Sequence, residues 1–270
     1  MAKGIIYSIT TFIIGALILT LSIIIFANSQ NTELRAMEIN LLNTVYDLQS
    51  SLSESIAKLF TNTAGIKINV ENHTVTISET IPNRQLKQYK NNITEFKDFI
   101  ENDNRLVKID NTKINNLPLK IMPYKISYER ESLDSKKVQI KNNDSKNYYE
   151  SISITFNITG MLGVIIPDEI NSGIIPLVII IQNLTNKITQ TINIDISKEN
   201  EIETENGGAI FNIDIEDGEI EIENEGENEV QVIIKLDLQD ISKVSVVYPS
   251  NILIQFPEFE VYSEKNTKIV

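Results

Sequence analysis

A chain of 270 residues with 41% apolar side chains can bury one large core or two small ones, which excludes wholesale disorder. It has no cysteine and one histidine, so disulfides, thiolate metal sites and cysteine nucleophiles are excluded and histidine chemistry rests on a single ring. A net charge of −13 argues against nucleic acid as a partner.

In chain order, the first feature is residues 5–27, twenty-three positions without a charge. A bilayer core needs roughly 20 apolar helical residues, so this run predicts a transmembrane helix in contact with a lipid bilayer. Lys3 and the terminal amine precede it, while Glu33 and Arg35 after it cancel, which favours an N-terminus inside and a C-terminal domain outside the plasma membrane. Three fates remain open from the residues. A cleavable secretory signal would use Ala27-Asn28-Ser29 before Gln30, although the apolar core is longer than such signals carry. An uncleaved anchor is the second. The third is processing at Lys3-Gly4-Ile5, a basic residue and a glycine directly before the apolar helix.

The helical pattern continues past the apolar run. Leu34, Met37, Leu41, Val45, Leu48, Leu52, Ile56 and Leu59 recur at steps of three and four, and no proline interrupts residues 5–64. Residues 28–61 therefore predict a helical stalk, with Gly65 suited to close it. One helix over 5–60 would be roughly 84 Å long at 1.5 Å per residue.

Lys3-Gly4 before an apolar helix that stays on the mature chain resembles the class III signal of archaeal type IV pilins and archaellins, with residues 1–4 as the leader. A long, half-apolar N-terminal helix under a β-rich head is also similar to how pilin-like proteins are built. The resemblance covers residues 1–60 directly and the head only by class. It implies cleavage after Gly4, a structural role at the cell surface, an immunoglobulin-like head, and homo-oligomeric or pilin partners held through the stalk. The alternative expectation is an uncleaved, membrane-tethered β-sandwich that serves as a binding or adhesion module. Cleavage there puts Ile9 at the fifth mature position, where bacterial pilins carry a glutamate.

Residues 62–104 predict a β-hairpin around Glu71-Asn72-His73 and an amphipathic helix opened by Pro82 and Asn83, its apolar side formed by Leu86, Tyr89, Ile93, Phe96 and Ile100. Residues 105–270 read as β throughout. Strands are expected over 106–110, 119–128, 136–141, 149–158, 174–182, 187–196, 209–215, 219–223, 229–238, 244–248 and 252–256. The run Val178–Ile181 beside Pro176 is too short for a second membrane span and reads as a fully buried strand. The expected fold is α+β: a membrane-spanning helix followed by a mainly β head, one or two immunoglobulin-like sandwiches.

The charge is concentrated. Residues 195–229 hold fourteen acids and one base, Lys198, and so account for the whole imbalance. Over 219–232 the acids alternate with Ile220, Ile222, Val230 and Val232, which predicts a hairpin turning at Asn224 and Gly226 with its acids facing solvent. Asp214, Glu216, Asp217 and Glu219 could supply oxygen ligands to calcium, but their spacing matches no calcium loop, and a solvated face outweighs a metal site. His73 has no ligand set beside it. No phosphate loop or nucleophile elbow occurs, so neither an enzyme nor a cofactor is expected. Asn72, Asn92, Asn143, Asn157 and Asn183 each begin an Asn-x-Ser/Thr sequence and are the candidate glycosylation sites.

Overall fold

The computed structural model describes residues 2–103, 107–109, 118–130, 132, 135–144, 146–206, 209–239, 243–248, 252–256, 261–263 and 267–269. Side chains are described within these except at 2–16, 31, 34, 206, 252–256, 261–263 and 267. The chain divides into two compact units, residues 1–50 and 51–270.

The first helix, α1 (Ala2–Thr63), runs unbroken for 62 residues, as a stretch without proline permits. The expected stripe is present in its second half: Val45, Leu52 and Ile56 are buried, and Leu41, Leu48 and Leu59 are half-buried. Met37 departs from it and is exposed. A left-handed Gly65 (φ 68°) follows the helix, in a place where an added Cβ would collide with Gln85. Among the described residues no helix is long and apolar enough to cross a membrane. Of the apolar run 5–27, residues 5–16 lie outside those with described side chains.

The strands β1 (Lys67–Glu71) and β2 (Thr74–Ile81) form the expected hairpin, and α2 (Gln85–Asp103) follows. Asn83 caps α2, its Oδ1 accepting the Gln85 N–H at 3.1 Å. Next come β3 (Val107–Ile109), β4 (Leu119–Met122), β5 (Ile126–Arg130), β6 (Lys137–Asn142), β7 (Tyr149–Asn157) and β8 (Val164–Glu169). Then follow β9 (Ser172–Gln182), β10 (Lys187–Ile194), β11 (Asn200–Asn206), β12 (Ala209–Glu216), β13 (Glu219–Asn224) and β14 (Val230–Leu238). The chain ends with β15 (Ser245–Tyr248), β16 (Ile252–Phe256), β17 (Val261–Ser263) and β18 (Thr267–Lys268).

These strands form a six-stranded sheet in the order β1-β2-β14-β7-β9-β10 and a nine-stranded sheet in the order β18-β15-β4-β5-β6-β13-β12-β11-β8. A small third sheet joins β17, β16 and β3. The architecture is thus α+β, one N-terminal helix and a mainly β head of two large sheets. Strands such as β2, β12, β13 and β14 alternate between buried and more exposed residues because only one of their faces meets the other sheet. Phe156 on β7 lies 4.5 Å from Phe211 on β12, ring centre to ring centre, between them. Within the second unit, Phe60 of α1 meets Tyr89 of α2 edge-on at 5.7 Å and stacks on Tyr248 of β15 at 5.9 Å.

Several expectations change. The hairpin β1–β2 is part of the six-stranded sheet, since β2 pairs with β14. The expected strand 119–128 is two strands turning through Pro123, Tyr124 and a left-handed Lys125 (φ 54°). The parity of its apolar residues marks the break: Leu119 and Ile121 are odd, Ile126 and Tyr128 even, and one straight strand cannot put both pairs on one face. The hairpin expected over 219–232 does not form. β13 pairs with β12 and β6, whereas β14 pairs with β2 and β7 in the other sheet. The connection crosses between sheets, and buried Asn224 holds it by donating to the carbonyls of Ile81 at 2.8 Å and Asn228 at 2.9 Å. The true turn lies one strand earlier, at Asp217 (φ 50°) and Gly218 (φ 80°), the pair of left-handed residues that a type I′ turn needs. Finally, β9 is not buried on both faces: Ile179 and Ile181 are buried, while Val178 and Ile180 are half-exposed.

Candidate functional site

Two carboxylate sites stand out, one a single buried carboxylate with partners and the other a row of exposed ones. The first lies between the sheets. Alternation in β2 puts Glu79 on the same face as Val75, Ile77 and Ile81, and alternation in β5 puts Arg130 beside Ile126 and Tyr128. Both charges are buried, at 3% and 1% exposure. Arg130 Nη1 reaches both Glu79 oxygens at 2.7 Å, and its Nη2 donates to the Ser135 carbonyl. Asn83 Nδ2 donates to Glu79 Oε2 at 3.1 Å and to the Ala64 carbonyl at 3.0 Å. Burial pushes the Glu79 carboxyl up, against the pull of the Arg130 charge and the hydrogen bonds from Asn83 and Arg130. The result is a polar clamp tying the six-stranded sheet, the nine-stranded sheet and the end of α1 together.

The second group lies on the outer face of the nine-stranded sheet. The Ile-acid alternation of β11, β12 and β13 buries Ile202, Ile213, Ile215, Ile220 and Ile222 and turns the acids outward. Register then sets acid beside acid: Glu169 opposes Glu201, Glu201 opposes Asp214, and Asp214 opposes Glu221. Like charges at this cross-strand distance repel. Glu199, Glu201, Asp214, Glu216, Asp217, Glu219 and Glu221 line an open cleft of about 520 Å³ together with Gln139. Partial desolvation, then the neighbouring Asp214, Glu199, Glu169 and Asp168, push Glu201 above its usual range. Asp214 rises for the same reason, with Lys137 opposing. At the border of the row Glu221 is compensated, by an ion pair with Lys137 and by the Gln139 amide at 2.7 Å. Asp214, Glu216, Asp217 and Glu219, considered as calcium ligands from sequence, do share this cleft. Among the described residues no group of three or more acids or histidines is arranged to hold a metal ion.

His73 lines a second hollow with Asn72, Thr74, Glu150, Ser151, Asp237 and Leu238. A serine, a histidine and an aspartate meet there, but the hydrogen bonds do not run in the order nucleophilic catalysis requires. Ser151 Oγ donates directly to Asp237 Oδ2 at 2.6 Å, and Thr74 Oγ1 donates to Oδ1 at 2.6 Å. Desolvation raises Asp237, but these two bonds and Lys235 outweigh it and hold the carboxyl below its usual range.

Lys3, Gly4 and Ile5, the residues expected from sequence to mark a processing site, fall in the first two turns of α1, and their side chains lie outside the described residues. The five candidate acceptor asparagines are scattered. Asn72 occupies the β1–β2 turn, left-handed at φ 55°. Asn92 is inside α2, Asn143 follows β6, Asn157 closes β7, and Asn183 lies between β9 and β10. The clamp was missed from sequence, yet the signal was present: Glu79 and Arg130 each share the parity of a buried apolar strand face. No family model, curated protein or solved structure matches the chain.

Proposed function

We propose that this is a membrane-anchored protein of the cell exterior with a structural, pilin-like role, held in the bilayer through residues 5–27 with the N-terminus inside and the head outside. The observation that carries the reading is the exposure around α1. Leu17, Ile18, Leu19, Leu21, Ile23, Ile24, Ile25 and Phe26 are all more than half exposed, from 53% at Ile24 to 65% at Phe26. At 3.6 residues per turn these positions surround the helix, so a partner docked on one side would leave others in water. Lipid covers all sides at once, and each such side chain gains about 1.5–3 kcal/mol on leaving water. Helix-mediated assembly belongs to the same reading. Ile39, Leu42 and Tyr46, spaced by three and four, are exposed in the stalk and offer a stripe to a neighbouring copy. The head reads as one enlarged immunoglobulin-like sandwich, supported by the single core through which its two large sheets meet, although β7 and β9 run parallel within it.

The test is the mass of the N-terminal peptide of native protein extracted from membranes. A start at Ile5 is the expected result and marks prepilin-type processing. A start at Met1 leaves an anchor and removes the pilin likeness. A start at Gln30, with the protein in the soluble fraction, sinks the reading. The acid-lined cleft favours a second reading, a tethered module that binds a cationic partner. It requires a lysine-rich peptide to bind the head with an affinity that falls as salt rises and that is lost when Glu201 and Asp214 become amides.

A further inference from the structure

Five Asn-x-Ser/Thr sequences are equivalent as sequence, but the fold makes them unequal. The hydroxyl two residues after the asparagine is part of the acceptor signal, so the conformation that matters brings this hydroxyl to the asparagine's own amide. Helix and strand cannot do this; a local turn around the asparagine can.

In α2, Ile93 between Asn92 and Thr94 is buried at 1% exposure, and the Thr94 hydroxyl bonds back to the Lys90 carbonyl at 2.8 Å. In β7 the Asn157 amide is held at both ends, Nδ2 donating to Gln231 at 2.8 Å and Oδ1 accepting from Gln182 at 2.7 Å. At the β1–β2 turn, Asn72 is exposed but the Thr74 hydroxyl is committed to Asp237 at 2.6 Å. Asn143 donates to the Ser127 hydroxyl at 3.1 Å, and its partner Ser145 lies outside the described residues.

Asn183-Leu184-Thr185 differs from all of these. It sits at the tip of the β9–β10 hairpin with Leu184 fully exposed at 105%. Asn183 Oδ1 accepts from the Thr185 N–H at 3.0 Å, the Thr185 hydroxyl at 3.2 Å and the Asn186 N–H at 2.8 Å. Among the described residues, its Nδ2 donates to the Gly160 carbonyl at 2.6 Å. That carbonyl belongs to an exposed bend with open space around Gly160, and the next residue, Met161, is 84% exposed. Breaking the contact disturbs no packed element, and the surroundings leave room for a bulky group.

We infer that Asn183 is the N-glycosylation site of the folded head, its donor an oligosaccharide carried on a lipid phosphate. The biological setting rests on the exterior placement proposed above. In the transfer, Asn183 Nδ2 attacks the anomeric carbon of the sugar and forms the C–N bond. The C–O bond to phosphate breaks and its electron pair leaves with the lipid phosphate, while one Nδ2 proton passes to a base of the transferase. The hydroxyl of Thr185 stays intact and orients the amide. A glycan here would cover Leu184 and Met161, two of the most exposed large apolar side chains of the head.

The experiment uses the purified, folded full-length chain with an oligosaccharyltransferase and a lipid-linked oligosaccharide, and reads occupancy of each asparagine by peptide mass spectrometry. Asn183 is expected to be modified several-fold faster than the other four. N183Q and T185V should lose that signal and T185S should keep it, with circular dichroism unchanged in each. A heat-unfolded sample should spread modification over the other sites. Higher occupancy at Asn72, Asn92, Asn143 or Asn157 would overturn the inference. So would an unmodified Asn183 under conditions that modify a short Asn-Leu-Thr peptide, or the same pattern before and after unfolding. Because transfer is assayed in vitro, a head found on the inner side of the membrane would sink the proposed function without touching this result.

Discussion

The seam between the sheets and the outer face of the nine-stranded sheet use the same chemical group to opposite effect. Inside, one carboxylate meets one guanidinium and an amide, and the three join elements far apart in sequence. Outside, carboxylates stand opposite one another along β8, β11, β12 and β13, and the strain they create is relieved by water and by Lys137 at one border. A buried charge has few partners available and depends on each of them, whereas an exposed one is screened and depends on none. Geometry at the seam is therefore costly to alter, and composition on the face is not.

The most severe way to break this contrast is Glu79→Ala, which leaves the Arg130 charge buried and uncompensated. We expect a loss of about 3–5 kcal/mol in urea unfolding, and a loss below about 1 kcal/mol would mean that the seam is not the dependent region. Replacing both partners together, with Glu79→Leu and Arg130→Met, should cost less than the single change, because no orphan charge remains.

Asp237 lies between the two extremes. Asp237→Asn weakens the contacts with Ser151 and Thr74, and a cost of about 1–2 kcal/mol is expected at neutral pH. The native carboxyl is held below its ordinary value, so its contribution is complete above the unfolded value of about 3.9 and is lost as pH falls through the folded one. A stability profile measured from neutral pH downward should be flatter in the variant across that acidic window; parallel profiles would refute the assignment.

The smallest effect is expected on the outer face, and its sign is reversed. The folded Asp214 carboxyl is raised, so the folded state takes up its proton first, and ionisation at higher pH opposes folding. Asp214→Asn should therefore stabilise the head by a few tenths of a kcal/mol at neutral pH and low salt, a figure already reduced for solvent screening. The gain should shrink in high salt and disappear as pH drops through the raised value. Destabilisation by this substitution in low salt would show that the row is held together by contacts and not merely tolerated.

Much of the fold was readable along the chain. The steps of three and four in residues 41–59, the capping Asn83 and the alternation of β12–β14 correspond to the elements found, because each depends on neighbours within a few residues. Glu79 and Arg130 were readable as charges on apolar parities, but that they meet was not, since fifty-one positions separate them. The misplaced hairpin at 219–232 has the same origin. Its alternation is correct on both strands, yet alternation specifies which side faces the core and says nothing about which sheet the strand joins.

By itself, the sequence determined local conformation and sidedness: one long helix, a second capped helix, and strands whose acids face outward and whose isoleucines face inward. These follow from periodicity, capping and turn chemistry, which act over a single turn or pleat. Tertiary structure decided which strands are neighbours, and with that the clamp at the seam, the acid beside acid on the outer face, and the inequality among five acceptor signals of one pattern. Pairing across a sheet is a long-range choice governed by the total burial of all the strands together, and no local pattern records its outcome.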